Sequence, residues 1–259
     1  MTEDLADAVA AIAADAGRLA MERWQTDFRR WEKSPGNPVC EIDLELDGLL
    51  RERLTALLPE AGWLSEESAD SRDRLEADLV WVVDPIDGTR DYLRGRPGWA
   101  VSIALVENGE PVIGVLAAPA RDEQWRAVRG KGAWRNGAQL HVADRDILAG
   151  ARVPADQLPK VDSDLTAVFK PNSIALRIAM VAAGEADLLA TLRWGFEWDI
   201  AAAMLIAREA GAIVTNAFGS PISFNSPEGT AFGVLATVPG IHAAAVERLR
   251  DRAVTGVKR

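Results

Sequence analysis

Two carboxylates three residues apart close an apolar run in Trp81-Val82-Val83-Asp84-Pro85-Ile86-Asp87-Gly88-Thr89-Arg90. Leu79 to Val83 reads as a buried strand, and Pro85, which lacks a ladder donor, is expected to stop it. Gly88-Thr89 then opens a helix whose first N–H groups have no intrahelical acceptor and can face an anion. A buried strand that delivers two acids together incurs desolvation and repulsion unless a cation neutralises them. Carboxylates and an anion share one pocket only with cations between them, so the segment predicts a metal-bridged phosphate site.

Further acids lie where elements begin or end. Glu66 and Glu67 follow the short strand Gly62-Trp63-Leu64, Asp43 sits at a helix start, and Asp199 follows Trp198 at another. Singly, each has a plainer explanation: a solvated turn for Glu66 and Glu67, a macrodipole-favoured helix start for Asp199. Oxygen ligands without sulfur or imidazole select hard ions, Mg²⁺ first, with Mn²⁺ as a substitute. Two or three such ions would clamp a phosphate and activate a water, which the Thr89 hydroxyl is placed to hold. His141 and His242 are the only histidines, one in a polar strand and one on a helix face, so neither a Ser-His-Asp nor a Cys-His system is supported. Cys40 is the only cysteine, which excludes an intrachain disulfide and a thiolate zinc site.

The elements that hold these residues follow from hydrophobic spacing. Leu5, Val9, Ile12, Ala16 and Leu19 predict a helix from residue 3 to about 30. The loop Ser34-Pro35-Gly36-Asn37-Pro38 ends it, and Ile42 to Leu58 gives a second helix. Strands over 99–106 and 111–118 flank the hairpin signal Asn108-Gly109; 124–129 and 132–134 extend the meander to a turn at Asn136-Gly137. A boundary near 143–150 divides an α+β half, 1–145, from an α/β half, 146–259, where helices over 172–183, 199–210 and 241–249 alternate with strands over 188–192, 212–215 and 231–236. Residues 151–170 carry no clear period.

With 259 residues, 48% apolar and 26% charged, the chain can bury a sizeable core. A formal net charge of −10 argues against direct nucleic-acid binding, although local metal charge still admits a small phosphorylated substrate. The acidic start Met1-Thr2-Glu3-Asp4 and the lack of a long apolar run suggest a cytoplasmic protein with no membrane partner.

Asp84-Pro85-Ile86-Asp87-Gly88-Thr89 resembles the signature of the inositol monophosphatase family of metal-dependent phosphatases. Trp198-Asp199-Ile200-Ala201-Ala202-Ala203, running on to Glu209-Ala210-Gly211-Ala212, is similar to that family's second signature, and Leu64-Ser65-Glu66-Glu67-Ser68 to its glutamate motif. The resemblance covers nearly the whole chain. It implies a layered α-β-α-β-α sandwich with the site between the halves. Glu66, Asp84 and the Ile86 carbonyl would hold a first metal; Asp84, Asp87 and Asp199 a second; Glu66 would share a third. Gly88 and Thr89 N–H groups would grip the phosphate, and Thr89 with Asp43 would orient or deprotonate the attacking water, with no phosphoenzyme. Lithium sensitivity and a homodimer are further expectations.

The chain also departs from the family pattern. Cys40 stands where a threonine is usual, Leu192-Arg193 where inositol-specific members carry a glutamate, and Pro171-Asn172-Ser173 in place of a small Gly-Ser/Thr helix start. An inositol-1-phosphate-like polyol or sugar phosphate is the leading substrate expectation. The alternatives are a 3′(2′),5′-bisphosphate nucleotidase, which Glu197 before Trp198-Asp199 resembles, a fructose-1,6-bisphosphatase or a histidinol-phosphatase. Arg193 would pair with a second phosphate or be a solvated surface charge. Of nine tryptophans, Trp194 is the candidate for touching a substrate ring. From another class comes a regulatory protein that binds transcription or ribosome machinery.

Overall fold

A computed structural model describes residues 2–258. Its first helix, α1 (Thr2–Arg23), turns Ala6, Val9, Ala13, Ala16 and Ala20 fully inward. Alanines on that face let the helix lie close to the sheet beneath it. The helix ends at Arg23, short of the predicted residue 30. The following segment forms a hairpin, β1 (Arg30–Ser34) and β2 (Asn37–Cys40), with Pro35-Gly36 in its turn. Exposed side chains along β1 gave this hairpin no alternating pattern to be read from. α2 (Glu41–Leu57) packs beside α1.

Seven strands in sequential order form the main sheet: β3 (Gly62–Ser65), β4 (Leu79–Asp87), β5 (Ala100–Glu107), β6 (Glu110–Ala118), β7 (Glu123–Val128), β8 (Gly132–Arg135) and β9 (Ala138–Gln139). Only β3 and β4 run parallel. The predicted hairpin turns are present, with Asn108, Gly109, Asn136 and Gly137 all at positive φ. Strand β4 does not stop at Pro85. Its pairing with β5 slips between Asp84 and Asp87, so Pro85 sits in an irregularity that needs no ladder donor there. A short helix, α3 (Thr89–Leu93), follows.

Residues 151–170 contribute β10 (Arg152–Pro154) and β11 (Thr166–Val168), a short parallel pair. Then come α4 (Ile174–Ala182), β12 (Leu188–Phe196), α5 (Ala201–Glu209), β13 (Ile213–Thr215), β14 (Thr230–Thr237) and α6 (His242–Val257). The expected alternation of strand and helix is present, but the three strands form an antiparallel sheet in the order β12-β14-β13. The layers are α1 and α2, the seven-stranded sheet, α4 and α5, the three-stranded sheet, and α6.

Close approach inside this sandwich depends on small residues. Ala201, Ala202, Ala203 and Ala207 of α5 are fully buried where the helix packs on β6 and α4. A Cβ at Gly114 of β6 would lie 2.6 Å from the Ala202 carbonyl oxygen, so glycine there sets how deeply α5 settles. The depth matters because α5 begins immediately after Trp198-Asp199. Trp81, Trp99 and Trp125 are buried, as their apolar surroundings predict.

Candidate metal centre

The end of β4, the loop after β3 and the start of α5 meet at one place. One carboxylate oxygen from each of Asp84, Asp87 and Asp199 lies within 4.8 Å of the others. Asp84 and Asp87 are buried and Asp199 is half-buried. The Ile86 N–H donates to Asp84 Oδ1 at 2.9 Å, which fixes that oxygen. Asp87 is held from α4: Ser173 Oγ (2.5 Å) and the Ala175 N–H (2.7 Å) donate to its Oδ2, and the Ile174 N–H donates to its Oδ1 at 3.2 Å. Asp199 follows a segment anchored by buried Glu197, whose carboxylate accepts from the N–H groups of Asn225 (2.7 Å) and Ser226 (2.9 Å).

Burial raises all three acids. Asp84 is held well above the usual carboxylate range, first by burial and then by the charges of Glu66, Asp87 and Asp199. Asp199 is raised in the same way, by burial and then Asp87 and Glu66. Asp87 is pushed up to about 6 by burial, against the hydrogen bonds from Ser173 and Ala175. Such a cluster resists ionisation when alone, and a cation between the oxygens removes that resistance. The donors are all oxygen, which fits a hard divalent ion.

Glu66 lies outside that 4.8 Å group. It pairs with Lys33 Nζ at 3.0 Å, and the same ammonium reaches Glu67 Oε1 at 2.7 Å. Lys33 comes from the β1–β2 hairpin, which thereby reaches the loop carrying both glutamates. The solvated-turn explanation fails for Glu67, whose side chain is only 4% exposed and whose carboxyl is raised to about 7, chiefly by burial. Asp47 on α2 fixes the same loop by accepting from Ser65 Oγ (2.5 Å) and from Ser68 Oγ.

Gly88 shapes the opposite wall. Its φ is +96°, and a Cβ there would lie 2.6 Å from the Gly98 carbonyl oxygen and 2.9 Å from the Ser173 nitrogen. Only glycine permits this turn, which brings the start of α3 against the acidic cluster. Thr89 Oγ1 donates to the Ile86 carbonyl at 3.0 Å and lies 3.5 Å from Asp43 Oδ1. Asp43 is buried and raised to about 6, chiefly by that burial. Its other oxygen accepts from the Cys40 N–H at 2.8 Å and the Cys40 thiol at 3.0 Å. Cysteine in place of the expected threonine therefore still leaves Asp43 with a side-chain donor, and Asp43 with Thr89.

The structure thus brings Asp84, Asp87 and Asp199 together, sets Thr89 with Asp43 and the Ile86 carbonyl beside them, and turns Glu66 toward Lys33. Arg193 lines a cavity with Asp199, Ile174 and Phe196. Trp194 is 52% exposed and meets Phe232 edge-on at 5.6 Å between centroids. Sequence reasoning missed Lys33 and Ser173. Of these, only Ser173 left a signal, as a hydroxyl directly before an apolar helical run.

Comparison with known proteins agrees with this geometry. Residues 1–255 match the family model of the inositol monophosphatase family. The chain is 36% identical over 204 residues to the Nus factor SuhB of Xylella fastidiosa, covering 73% of this chain and 72% of that protein. It is 30% identical over 242 residues to the 3′(2′),5′-bisphosphate nucleotidase CysQ of Aggregatibacter actinomycetemcomitans, covering 88% and 90%. The solved structure of the Thermotoga maritima IMPase superposes with a TM-score of 0.82 at 28% identity, covering 95% of this chain and 96% of that one. A carboxylate cluster at the joint of a five-layer sandwich and a family match along almost the entire sequence lead to one conclusion: the chain belongs to the inositol monophosphatase family of phosphoric monoester hydrolases.

Proposed function

We propose that the chain is a Mg²⁺-dependent phosphomonoesterase acting on a small phosphorylated polyol, sugar or nucleotide. The observation that carries this reading is the convergence of Asp84, Asp87 and Asp199 beside the start of α3. In it, Asp84, Asp87 and Asp199 would hold one cation, and Glu66, Asp84 and the Ile86 carbonyl would hold another. Bound divalent cations supply positive charge to the phosphate oxygens and make a water more acidic. The chain's own groups do the positioning. The Gly88 and Thr89 N–H groups face the phosphate. The Thr89 hydroxyl orients the attacking water, and ionised Asp43 takes up the proton through it. Asp43 suits that task because burial brings it toward neutral pH while the Cys40 donors keep one oxygen fixed.

Phosphate release from inositol-1-phosphate, 3′-phosphoadenosine 5′-phosphate, fructose-1,6-bisphosphate and histidinol phosphate, each with Mg²⁺ and then with chelator, tests the reading. Turnover that requires Mg²⁺ supports it; turnover indifferent to the chelator refutes it. A lithium arm and a size-exclusion measurement test the accompanying proposals of lithium sensitivity and a homodimer. Similarity to a Nus factor supports a second reading, in which the chain acts by binding transcription or ribosome machinery. Rescue of a deletion phenotype by Asp84→Asn would favour that role over the chemistry.

A further inference from the structure

Arg74 lies outside the metal centre, in the loop that joins the glutamate segment to β4, and is only 2% exposed. Its Nε and Nη2 donate to the two carboxylate oxygens of Asp70 at 2.7 and 2.9 Å. Its Nη1 donates to Asn225 Oδ1 at 2.6 Å, and its Nη2 also reaches the Pro227 carbonyl at 3.4 Å. In return Asn225 donates its Nδ2 to the Arg74 carbonyl at 3.0 Å, so the two residues hold each other by two bonds across 151 positions of chain. Arg74 also packs on the start of β3, where a Cβ at Gly62 would lie 2.8 Å from the Arg74 Cβ. The strand that begins at Gly62 ends at Ser65, immediately before Glu66.

The far end of this clasp is the turn that carries Asp199. The Asn225 N–H is one of the two that hold the buried Glu197 carboxylate. Glu197 donates its own N–H to the Gly229 carbonyl at 2.9 Å, and its carbonyl accepts from the N–H groups of Ile200 (3.1 Å) and Ala201 (3.0 Å). The last two bonds close a turn around Trp198 and Asp199. Gly229, at φ +61°, lies against β3: a Cβ there would come within 3.3 Å of the Leu64 side chain. The segment bearing Asp199 is thus tied twice to the strand that leads to Glu66, by packing at Leu64 and by the bonds of Arg74.

Burying a guanidinium incurs a large desolvation cost, so Arg74 is a poor choice for stability alone. Its planar fork supplies direction, because it fixes Asp70 along one edge and Asn225 along another at once. Asn225 stands at φ +62°, a left-handed conformation that asparagine tolerates and that the bonds to Arg74 secure. We infer that Arg74 is a positioning residue for the metal centre: through Asn225 and Glu197 it sets where Asp199 stands relative to the strands that lead to Glu66 and Asp84, and so how tightly the centre binds a divalent cation. This rests on the reading of the acidic cluster as a cation site.

Titration calorimetry with Mg²⁺ alone, on the full chain without substrate, tests it. Asn225→Gly keeps the left-handed backbone and the N–H to Glu197 while removing both bonds to Arg74. Arg74→Lys keeps the charge beside Asp70 and loses the fork. Each should weaken Mg²⁺ binding roughly tenfold or more, the scale on which supports of metal ligands act. The double variant should bind no more weakly than the weaker single one, since the two residues form one link. Arg252→Gln is the control: it breaks the ion pair between α6 and buried Asp162, and should lower the melting temperature while leaving Mg²⁺ affinity unchanged. Wild-type Mg²⁺ affinity in folded Asn225→Gly and Arg74→Lys overturns the inference. So does an equal loss of affinity in Arg252→Gln, which would make the effect one of stability. Should Arg74→Lys misfold, Asn225→Gly decides; unfolding of both assigns the clasp to stability and overturns the inference as well. Absence of Mg²⁺ binding by the wild-type protein overturns the cation site itself, and the positioning role falls with it.

Discussion

In the proposed mechanism the chemistry narrows to one hydroxyl, that of Thr89. Its Oγ1 lies between the Ile86 carbonyl and Asp43. Thr89→Ala should lower kcat by about 100-fold or more, the usual scale for a lost proton-transfer group, while circular dichroism stays unchanged. In the proposed mechanism Asp43 acts in its ionised form, and it is raised to about 6, so kcat/KM should fall as the pH drops through about 6. Asp43→Asn should abolish that acid limb along with most of the activity. At this scale the sequence was informative wherever a residue type sat in a dense motif. Asp84, Asp87 and Asp199 could be named because acids at strand ends and helix starts demand a reason. Lys33 and Ser173 could not, because their roles arise from contacts across 33 and 86 positions of chain.

The elements deliver these groups through close packing rather than through long-range charge. Helix α5 carries Asp199 just ahead of its first turn and rests on β6 at Gly114. Gly114→Ala places a methyl against the Ala202 carbonyl, so the helix must move. A stability loss of about 1–3 kcal/mol is expected in denaturant unfolding, typical of overpacking. A weakened Mg²⁺ requirement curve should accompany it, because Asp199 moves with the helix. Element boundaries were legible where apolar periods were strong, as in β5, β6 and α5. They were misread at Pro85, since the ordinary rule that proline ends a strand yields when the pairing register slips at that residue. They were also misread over residues 30–40, where an exposed hairpin is specified by its tertiary reach to Glu66 and Glu67 and not by any alternation of its own.

Across the whole molecule, the five layers bury a carboxylate cluster whose charge protons or bound cations would balance. This makes stability depend on pH in a defined direction. Asp84, Asp87 and Asp199 have raised values in the folded state, so the folded protein holds protons that the unfolded chain releases near 3.8. Their contribution is fully present below that value and is lost as the pH rises through about 6 and above. In chelator, the unfolding free energy should therefore fall between pH 4 and pH 7, by an amount on the order of 3 kcal/mol for a shift the size of that at Asp87. Saturating Mg²⁺ should flatten or reverse the fall, since a ligand that binds only the folded form stabilises it. A fall of equal size with and without Mg²⁺ would mean that the cluster is not what the ion binds. The layered architecture itself was legible from motif resemblance, whereas the antiparallel order of the small sheet was not, because strand-helix alternation is compatible with either direction.

The most direct measurement is Mg²⁺-dependent phosphate release by Asp84→Asn beside the wild-type protein, with circular dichroism on both. Asp84 is the ligand common to both proposed cation sites, and the substitution keeps its size while removing its charge. The account predicts loss of at least about 100-fold in turnover, the scale on which weakened metal sites lose activity, in a protein that remains folded. Wild-type turnover by folded Asp84→Asn would contradict it.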